Sequence, residues 1–436
     1  MMQYFKKPCI YRVKQQLKIL SDMKKLISLL MFAAAFCACS KTEEEVELTD
    51  PTKSPAKPIE LTRAEYSACE QAKDFSYDFI RQANTAANSK NYFVSPLSAE
   101  MALAMLCNGT AGETEQEIRN VLGFKDFTLD DLNSYNQKML KSLPTLDGRT
   151  TVTLTNGFWA DKALNLQKSY QNLISDQYDA SCFSFDNLEA AKKEINSWCD
   201  KHTDHMIKEI MDENDSFIFA LVNALYFKGE WSRKFNESET LSKDFHNFDG
   251  TTSRVPMMHK TTEASLFHYG YNEYCHALFL PFGNFAYYFT VILPADGHTL
   301  DECATQLNDK EIGSLMMQDH GECTLVEMPR FALDYECSLN EMLQAMGIRK
   351  LYSAEQDLSG MLATTDPLLI TAKQKTRIEV NEKGAKAAAV THVSGETMAP
   401  PPTPDFWEFI VDEPFLFLIR ERSTGSVLFS GRINNL

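Results

Sequence analysis

The residue types able to carry out chemistry are present but scattered. No GxSxG turn, HExxH pair, phosphate-cradling P-loop or GxGxxG after a strand occurs in the chain, so the usual sequence marks of a hydrolase, a zinc protease or a nucleotide-dependent enzyme are missing. His202 and His205 flank Asp204 at a spacing that could set two imidazoles on one helix face; the polar surroundings favour an ordinary helix end over a metal site. Asn108-Gly109-Thr110 is formally a glycosylation sequon, but Gly109 reads better as the left-handed residue that closes a helix. The segment best suited to a special role holds no catalytic group. From Asn381 to Pro404 the chain reads NEKGAKAAAVTHVSGETMAPPPTP, with no large aliphatic or aromatic residue apart from Met398. Its proline-rich end cannot occupy a central strand, and a long unanchored loop inside a compact domain is usually functional. The residues alone reach a globular protein with a special loop and no evident enzyme.

The elements that must position this loop are legible as patterns. Residues 63–88 read as a helix with the apolar stripe Tyr66, Phe75, Phe79 and Ile80. Ser98 can cap a second helix, Ala99 to Cys107, ended by Gly109, and Thr114 with Glu117 can form a capping box for a third, ending before Gly123. Thr151 to Ala160 alternates as a strand, Glu189 to His205 is helical, and Phe217 to Phe227 suits a strand buried on both faces. Beyond residue 253 strands dominate: Ala264–Tyr271, His276–Leu280, Tyr287–Leu293, Cys323–Phe331, Leu368–Val380, Phe415–Arg420 and Ser426–Ile433, interrupted by a helix over Ser338–Met346. No repeat or compositional break divides residues 63–436, which predicts one α+β domain.

The net charge of −17 argues against nucleic acid as a partner. The longest apolar run, Leu26 to Ala38, is too short to span a bilayer and suits a signal-peptide core. Lys24 and Lys25 precede it and Phe36-Cys37-Ala38-Cys39 closes it, so residues 1–38 resemble a bacterial lipoprotein signal, with translation starting at Met1 or Met23. Cys39 would then become the acylated first residue, followed by an acidic, proline-containing tether over 39–62; an ordinary secretory signal is the alternative. This places the protein in the cell envelope, anchored to the outer membrane through Cys39 and facing the periplasm or the surface. The chain after residue 38 carries −23. Its eight cysteines other than Cys39 are widely spaced without a CxxC pair and read as buried free thiols.

Six segments in order resemble the serpin family of protease inhibitors: Asn91–Ser98 with the following MALAMLCNGTAGETEQEI, Leu221–Trp231, Val255–Met258, Val380–Gly384, Asp412–Phe417 and Leu428–Ile433. The resemblance implies three β-sheets with about nine helices and an exposed reactive-centre loop, here about residues 382–404. It implies a suicide inhibitor, not an enzyme. A serine, or cysteine, endopeptidase cleaves the loop as bait, and the cleaved loop inserts as a new strand of the largest sheet while the protease is still covalently attached. No cofactor or metal is implied, and the protein is expected to be a monomer.

By the same resemblance, the hinge comprises Glu382, Gly384, Ala385, Ala387, Ala388 and Ala389. With period two, Ala385, Ala387 and Ala389 share a face and Lys386 falls on the other. Counting by the family's usual loop length puts the scissile bond at Met398-Ala399, with Glu396, Thr397 and Pro400 completing the protease-contact loop; Glu396 or Thr397 could serve other proteases. A Met suits the apolar pocket of elastase-like and chymotrypsin-like enzymes. Ser95, Ser98, Asn223 and Gln374 match a polar cluster beneath the sheet opening, Trp231 matches an aromatic at the top of the sheet, and Glu382 is expected to pair with Arg330. The alternative within the family is a non-inhibitory binding or chaperone-like member, whose loop more often carries bulky, charged or proline residues at the hinge.

Overall fold

Helix α1 (Arg63–Ala87) begins at Thr62, whose Oγ1 accepts the Glu65 N–H while the Glu65 carboxylate accepts the Thr62 N–H. This reciprocal cap satisfies two N–H groups that the helix itself leaves without partners. Phe75, Phe79 and Ile80 face the core as expected, but Tyr66 is 59% exposed, because the first turns of α1 overhang the surface. Helix α2 (Pro96–Cys107) starts three residues before the expected Ala99. Its cap is Ser95, whose Oγ accepts the Ser98 N–H at 3.1 Å, and Pro96 occupies the first position, where no N–H is needed. Gly109 does not close α2 in a left-handed conformation; it lets Met361 pack against the chain, 2.9 Å from where a Cβ would sit. Helix α3 (Gly112–Val121) has no side-chain cap. Thr114 accepts the Asp357 N–H, and Glu117 accepts the N–H groups of Arg349 and Lys350, so both residues serve long-range contacts.

This computed structural model describes residues 56–261, 267–318, 323–363, 368, 370, 372–385 and 407–436. The remaining α-helices are α4 (Leu129–Ser142), α5 (Lys168–Tyr178), α6 (Leu188–His202), α7 (Leu300–Gln306), α8 (Asp309–Met316) and α9 (Asn340–Met346), nine among the described residues. The strands form three sheets. The front sheet has the order β11-β12-β13-β4-β2-β3, built from β2 (Thr150–Asp161), β3 (Ala180–Phe185), β4 (Phe219–Glu230), β11 (Phe331–Ser338), β12 (Lys373–Asn381) and the two-residue β13 (Gly384–Ala385). The core sheet runs β1-β16-β15-β9-β8-β7, from β1 (Tyr92–Val94), β7 (His268–Tyr271), β8 (Cys275–Phe282), β9 (Tyr287–Pro294), β15 (Phe415–Glu421) and β16 (Val427–Ile433). The small sheet runs β14-β10-β6-β5, from β5 (Leu241–His246), β6 (Thr252–Thr261), β10 (Cys323–Pro329) and β14 (Trp407–Ile410). The expected single strand Cys323–Phe331 is thus two strands in two sheets, hinged at Arg330.

Every residue of β15 and β16 is buried, as a sheet covered on both faces requires. Phe93 stacks on Phe417 and Phe429, and Phe417 stacks on Phe289, joining β1, β15, β16 and β9 into one aromatic layer under the front sheet. β4 is less enclosed than its apolar composition suggests. Phe219, Leu221 and Asn223 are half-buried, and uninterrupted burial covers only Ala224–Phe227.

Glu100 departs most from the apolar pattern of α2. Its carboxyl is buried beside Cys69, Tyr135 and Tyr178, and Oε1 has no hydrogen-bond partner. Burial pushes its pKa up from 4.5 to about 8, against the opposing hydrogen bond with Asn136. Between these two values the folded protein binds a proton that the unfolded chain has released. The associated stability is complete below the unfolded value and is lost as pH rises through the folded one. Thermal unfolding at pH 5 and pH 9 checks this: the wild type should melt lower at pH 9, and Glu100→Gln should remove most of that difference by stabilising the alkaline form.

Candidate functional site

The front sheet is assembled around a two-residue strand. β13 pairs antiparallel with β12 on one side (Val380 with Ala385, Asn381 with Gly384) and with β4 on the other (Gly384 with Glu230, Ala385 with Gly229). Among the described residues β4 and β12 pair with β13 and not with each other. Strands separated by an interposed strand lie about 9–10 Å apart. The strand position between β4 and β12 below Ala385 is called the slot here; among the described residues no strand pairs with β4 or β12 in it.

Two clefts follow this slot. The upper is lined by Leu225–Phe227 of β4, Arg377–Glu379 of β12 and Ala385 at its head. The lower runs between Phe219–Asn223 and Lys373–Lys375. The linker after α6 covers both: Met206 and Ile207 line the upper cleft, and Ile210, Met211 and Phe217 the lower. Three ties hold the linker. The Tyr226 hydroxyl donates to Asp204 at 3.0 Å, Lys373 reaches Asp215 at 2.8 Å and Asp212 at 3.4 Å, and Asn196 bonds the backbone of Ile210 and Met211. His202 and His205 flank its start but share no face. His202 ends the helix against the Trp198 carbonyl, and His205, at φ 62°, pairs with Asp200. Among the described residues no group of His, Cys, Asp or Glu side chains could hold a metal ion.

Ser95, Ser98, Asn223 and Gln374 line one small cavity behind the slot. Two of them bond directly: the Ser95 N–H donates to Gln374 Oε1 at 2.8 Å, and Gln374 Nε2 donates to the Ser95 carbonyl at 2.9 Å. The Ser95 hydroxyl donates to the Leu428 carbonyl, which ties the start of α2 to the core sheet. Asn223 turns away from this pair and donates to Asn156 on β2 at 2.6 Å, leaving its own Oδ1 buried without a partner. Gln374 does not titrate, so the cluster has no acid-sensitive member.

The top of the slot is held by a ring of contacts around the Glu382–Lys383 turn. Trp231 is buried, stacks on Phe282 at 4.6 Å, and donates its indole N–H to the Asn381 carbonyl at 2.8 Å. Its backbone N–H bonds Lys383, and the Phe235 N–H bonds Glu382. Glu382 is nearly fully buried; its Oε1 accepts from Thr240 at 2.6 Å and from the Arg330 guanidinium, which is 45% exposed. Burial pushes the Glu382 carboxyl up, but the bonds from Arg330 and Thr240 outweigh it and hold the group below the ordinary carboxylate value. Gly384 has φ +152° and lies so close to the Gly229 carbonyl that a Cβ would fall 1.9 Å from that oxygen, so no other residue fits.

Among the expected site residues, Ser95, Ser98, Asn223, Gln374, Trp231, Arg330, Glu382, Gly384 and Ala385 thus gather around one slot. Ala387, Ala388, Ala389, Glu396, Thr397, Met398, Ala399, Pro400 and Cys39 lie outside the described residues. The sequence reading missed Thr240, Asp204 and Lys373. The acidic run at Asp212–Asp215 was the one available signal for the last of these.

The family model described as Serpin (serine protease inhibitor) matches residues 70–436. The rat protein alpha-1-antiproteinase is 30% identical over 412 residues, covering 93% of this chain and 97% of its own. The Xenopus laevis leukocyte elastase inhibitor is 32% identical over 382 residues, covering 85% and 98%. The solved structure of human thyroxine-binding globulin complexed with its hormone is 28% identical with a TM-score of 0.75, covering 85% of this chain and 99% of that one. With the slotted front sheet, the nine helices and a match over most of the chain, the protein belongs to the serpin family.

Proposed function

We propose that this serpin is a suicide-type inhibitor of serine endopeptidases, cleaved at Met398-Ala399 and completed by insertion of the cleaved loop between β4 and β12. The observation that carries this reading is the order of the front sheet, in which the two-residue β13, with its buried Ala385, already pairs between β4 and β12 at the point where the loop begins. Extending β13 in register would direct Ala387 and Ala389 to the face of Ala385 and Lys386 to the opposite one. About fourteen residues separate the head of the slot from the scissile bond, and at about 1 kcal/mol net per hydrogen bond the new ladder contributes on the order of 10 kcal/mol. That release supplies a driving force for moving a covalently attached enzyme as the loop inserts. The intact form is kinetically held in a state short of its free-energy minimum. The apolar Met398 favours elastase-like and chymotrypsin-like targets, which accords with the name of the Xenopus laevis leukocyte elastase inhibitor.

The protein is further proposed to act as a monomer in the cell envelope, carried on a lipid at Cys39 and a tether ending near residue 62.

Incubation with neutrophil or pancreatic elastase should give a covalent band that survives SDS, and the released C-terminal fragment should start at Ala399. Met398→Arg should move this activity to trypsin-like enzymes, because it changes only the pocket contact. Cleavage without a trapped band would instead identify a non-inhibitory member of the family.

The Glu382 contact makes a separate prediction. Glu382→Lys sets two cations where the slot opens, and exposed strand edges template pairing with another molecule's loop. The variant should form loop–sheet polymers on mild heating, at temperatures where the wild type stays monomeric by size exclusion. Adding Arg330→Glu in the same molecule should suppress them. Because the Glu382 carboxyl is held below the ordinary value of 4.5, its contribution is present above that value and is lost as pH falls through the folded one, so acid below the ordinary carboxylate range should act in the same direction as the substitution.

Fractionation tests the anchor: Cys39→Ala should move the protein from membranes to the soluble fraction with its inhibition unchanged, and retention on membranes would refute acylation.

A further inference from the structure

The chain carries −17 overall, yet cations gather at one end of the core sheet, around the β8–β9 turn at residues 283–286. Several segments meet that turn. The Ala56 N–H, at the start of the described chain, donates to the Asn284 carbonyl at 3.0 Å, and the Arg422 N–H of the β15–β16 turn donates to the Ala286 carbonyl at 2.9 Å. The Ile59 N–H donates to Ser423 Oγ at 2.9 Å, so the incoming segment is pinned across both turns. At the end of β4, the Gly283 N–H donates to the Glu230 carbonyl at 2.8 Å and the Ser232 hydroxyl to the Gly283 carbonyl at 2.7 Å. Asn284 Nδ2 donates to the Leu146 carbonyl at 3.0 Å, which brings in the residues before β2.

Each of these segments carries a cation. Lys57, Arg233, Lys234 and Arg422 are exposed, and Arg149 is half-buried. Fewer carboxylates of the same segments reach the surface. Glu60 is exposed, and Glu230 pairs with Lys234 at 2.8 Å. Asp147 and Glu421 are buried and bonded within the fold: Asp147 accepts from Thr150 and the Arg149 N–H, and Glu421 accepts from Ser423 and Thr424. In physiological salt a charge is felt over about 8 Å. A surface approaching this end therefore meets the local cations before it senses the net charge of the chain. Among them, at the tip of the turn, stands Phe285. It is half-buried and has φ 69°, a conformation that bulky residues rarely adopt. Such strain persists only where the surroundings impose it, and it clusters at functional sites. An aromatic residue among long cationic side chains is the composition that suits a lipid headgroup region.

We infer that this end of the core sheet lies on an anionic lipid surface, with Lys57, Arg149, Arg233, Lys234 and Arg422 against the headgroups and Phe285 at the boundary. The partner is argued from where the chain enters. The segment that the envelope reading attaches to lipid at Cys39 joins the fold at Ala56, within this face. The inference rests on that reading for its setting, but the attraction of the face to lipid does not require the acyl chains. An anchor holds face and surface together at high effective concentration.

The test uses the chain from residue 39 onward, which keeps the whole described fold, with Cys39→Ala so that no lipid is attached. It is sedimented with vesicles of phosphatidylcholine alone or mixed with phosphatidylglycerol. The expected result is binding to the mixed vesicles that falls as salt rises, and little binding to the neutral ones. Amide exchange of the vesicle-bound chain should slow over residues 283–286 and 420–425. Lys57→Glu combined with Arg422→Glu should weaken binding about tenfold or more, and Phe285→Ala should weaken it as well. No binding, equal binding to both vesicles, exchange slowed only elsewhere, or binding indifferent to these substitutions would overturn the proposal. Capture by soluble heparin without vesicle binding would also overturn it, and would assign the face to a polyanionic partner. The lipid, salt and exchange measurements on the unsubstituted face decide by themselves if a variant fails to fold. Acylation is read separately, by fractionation of the wild type, so the face and the anchor can fail independently.

Discussion

Everything distinctive about this molecule follows from backbone groups on two facing strand edges. Among the described residues β4 pairs with β2 and β12 with β11 along their lengths, and the two are joined to each other only through the two residues of β13. A buried N–H or carbonyl without a partner is expensive, so a strand position between two central strands favours a further strand that pairs on both sides. A strand that enters it gains on both sides at once. The segment proposed as the reactive loop begins at the head of that slot, already paired on both edges at Gly384 and Ala385.

Holding such a slot open requires that the rest of the fold not collapse into it. The core sheet supplies rigidity through strands buried along their whole length and the aromatic stack of Phe93, Phe289, Phe417 and Phe429. Ser95 links that sheet to the helix behind the slot and to Gln374 on its far edge. The front is covered by the linker after α6, which fills space with Met206, Ile207, Ile210 and Met211 yet is tied to the slot by a few polar contacts at Asp204, Asp212 and Asp215. Apolar filler with few directional bonds can be displaced, whereas a hydrogen-bonded strand in the same place could not.

At the top, different forces act in concert. Trp231 and Phe282 provide apolar area, the indole N–H and backbone bonds fix the turn, and Glu382 brings a charge that is affordable only because Arg330 and Thr240 meet it. Gly384 lets the hinge approach the Gly229 carbonyl closely enough to pair. A residue without a side chain at Gly384 is therefore a steric requirement of the turn.

The sequence by itself determined the order and type of the long elements, since α1, β2, α6 and the late strands carry full periods of burial over ten or so residues. It also singled out the unanchored segment after Asn381 and, through its ordered motifs, most of the residues around the slot. Short-range signals misled wherever a capping residue had two possible uses. Ser95, not Ser98, caps α2 because Pro96 already fits the first helical turn, and Thr114 and Glu117 are spent on Asp357, Arg349 and Lys350, which are more than 200 residues away. Only the tertiary structure decided that Asn223 bonds Asn156 instead of its expected cluster and that Thr240 shares Glu382 with Arg330. Periodicity is a local property that each segment carries with it. Which polar groups meet depends on how separate segments are brought together, and that is settled only when the sheets close on one core.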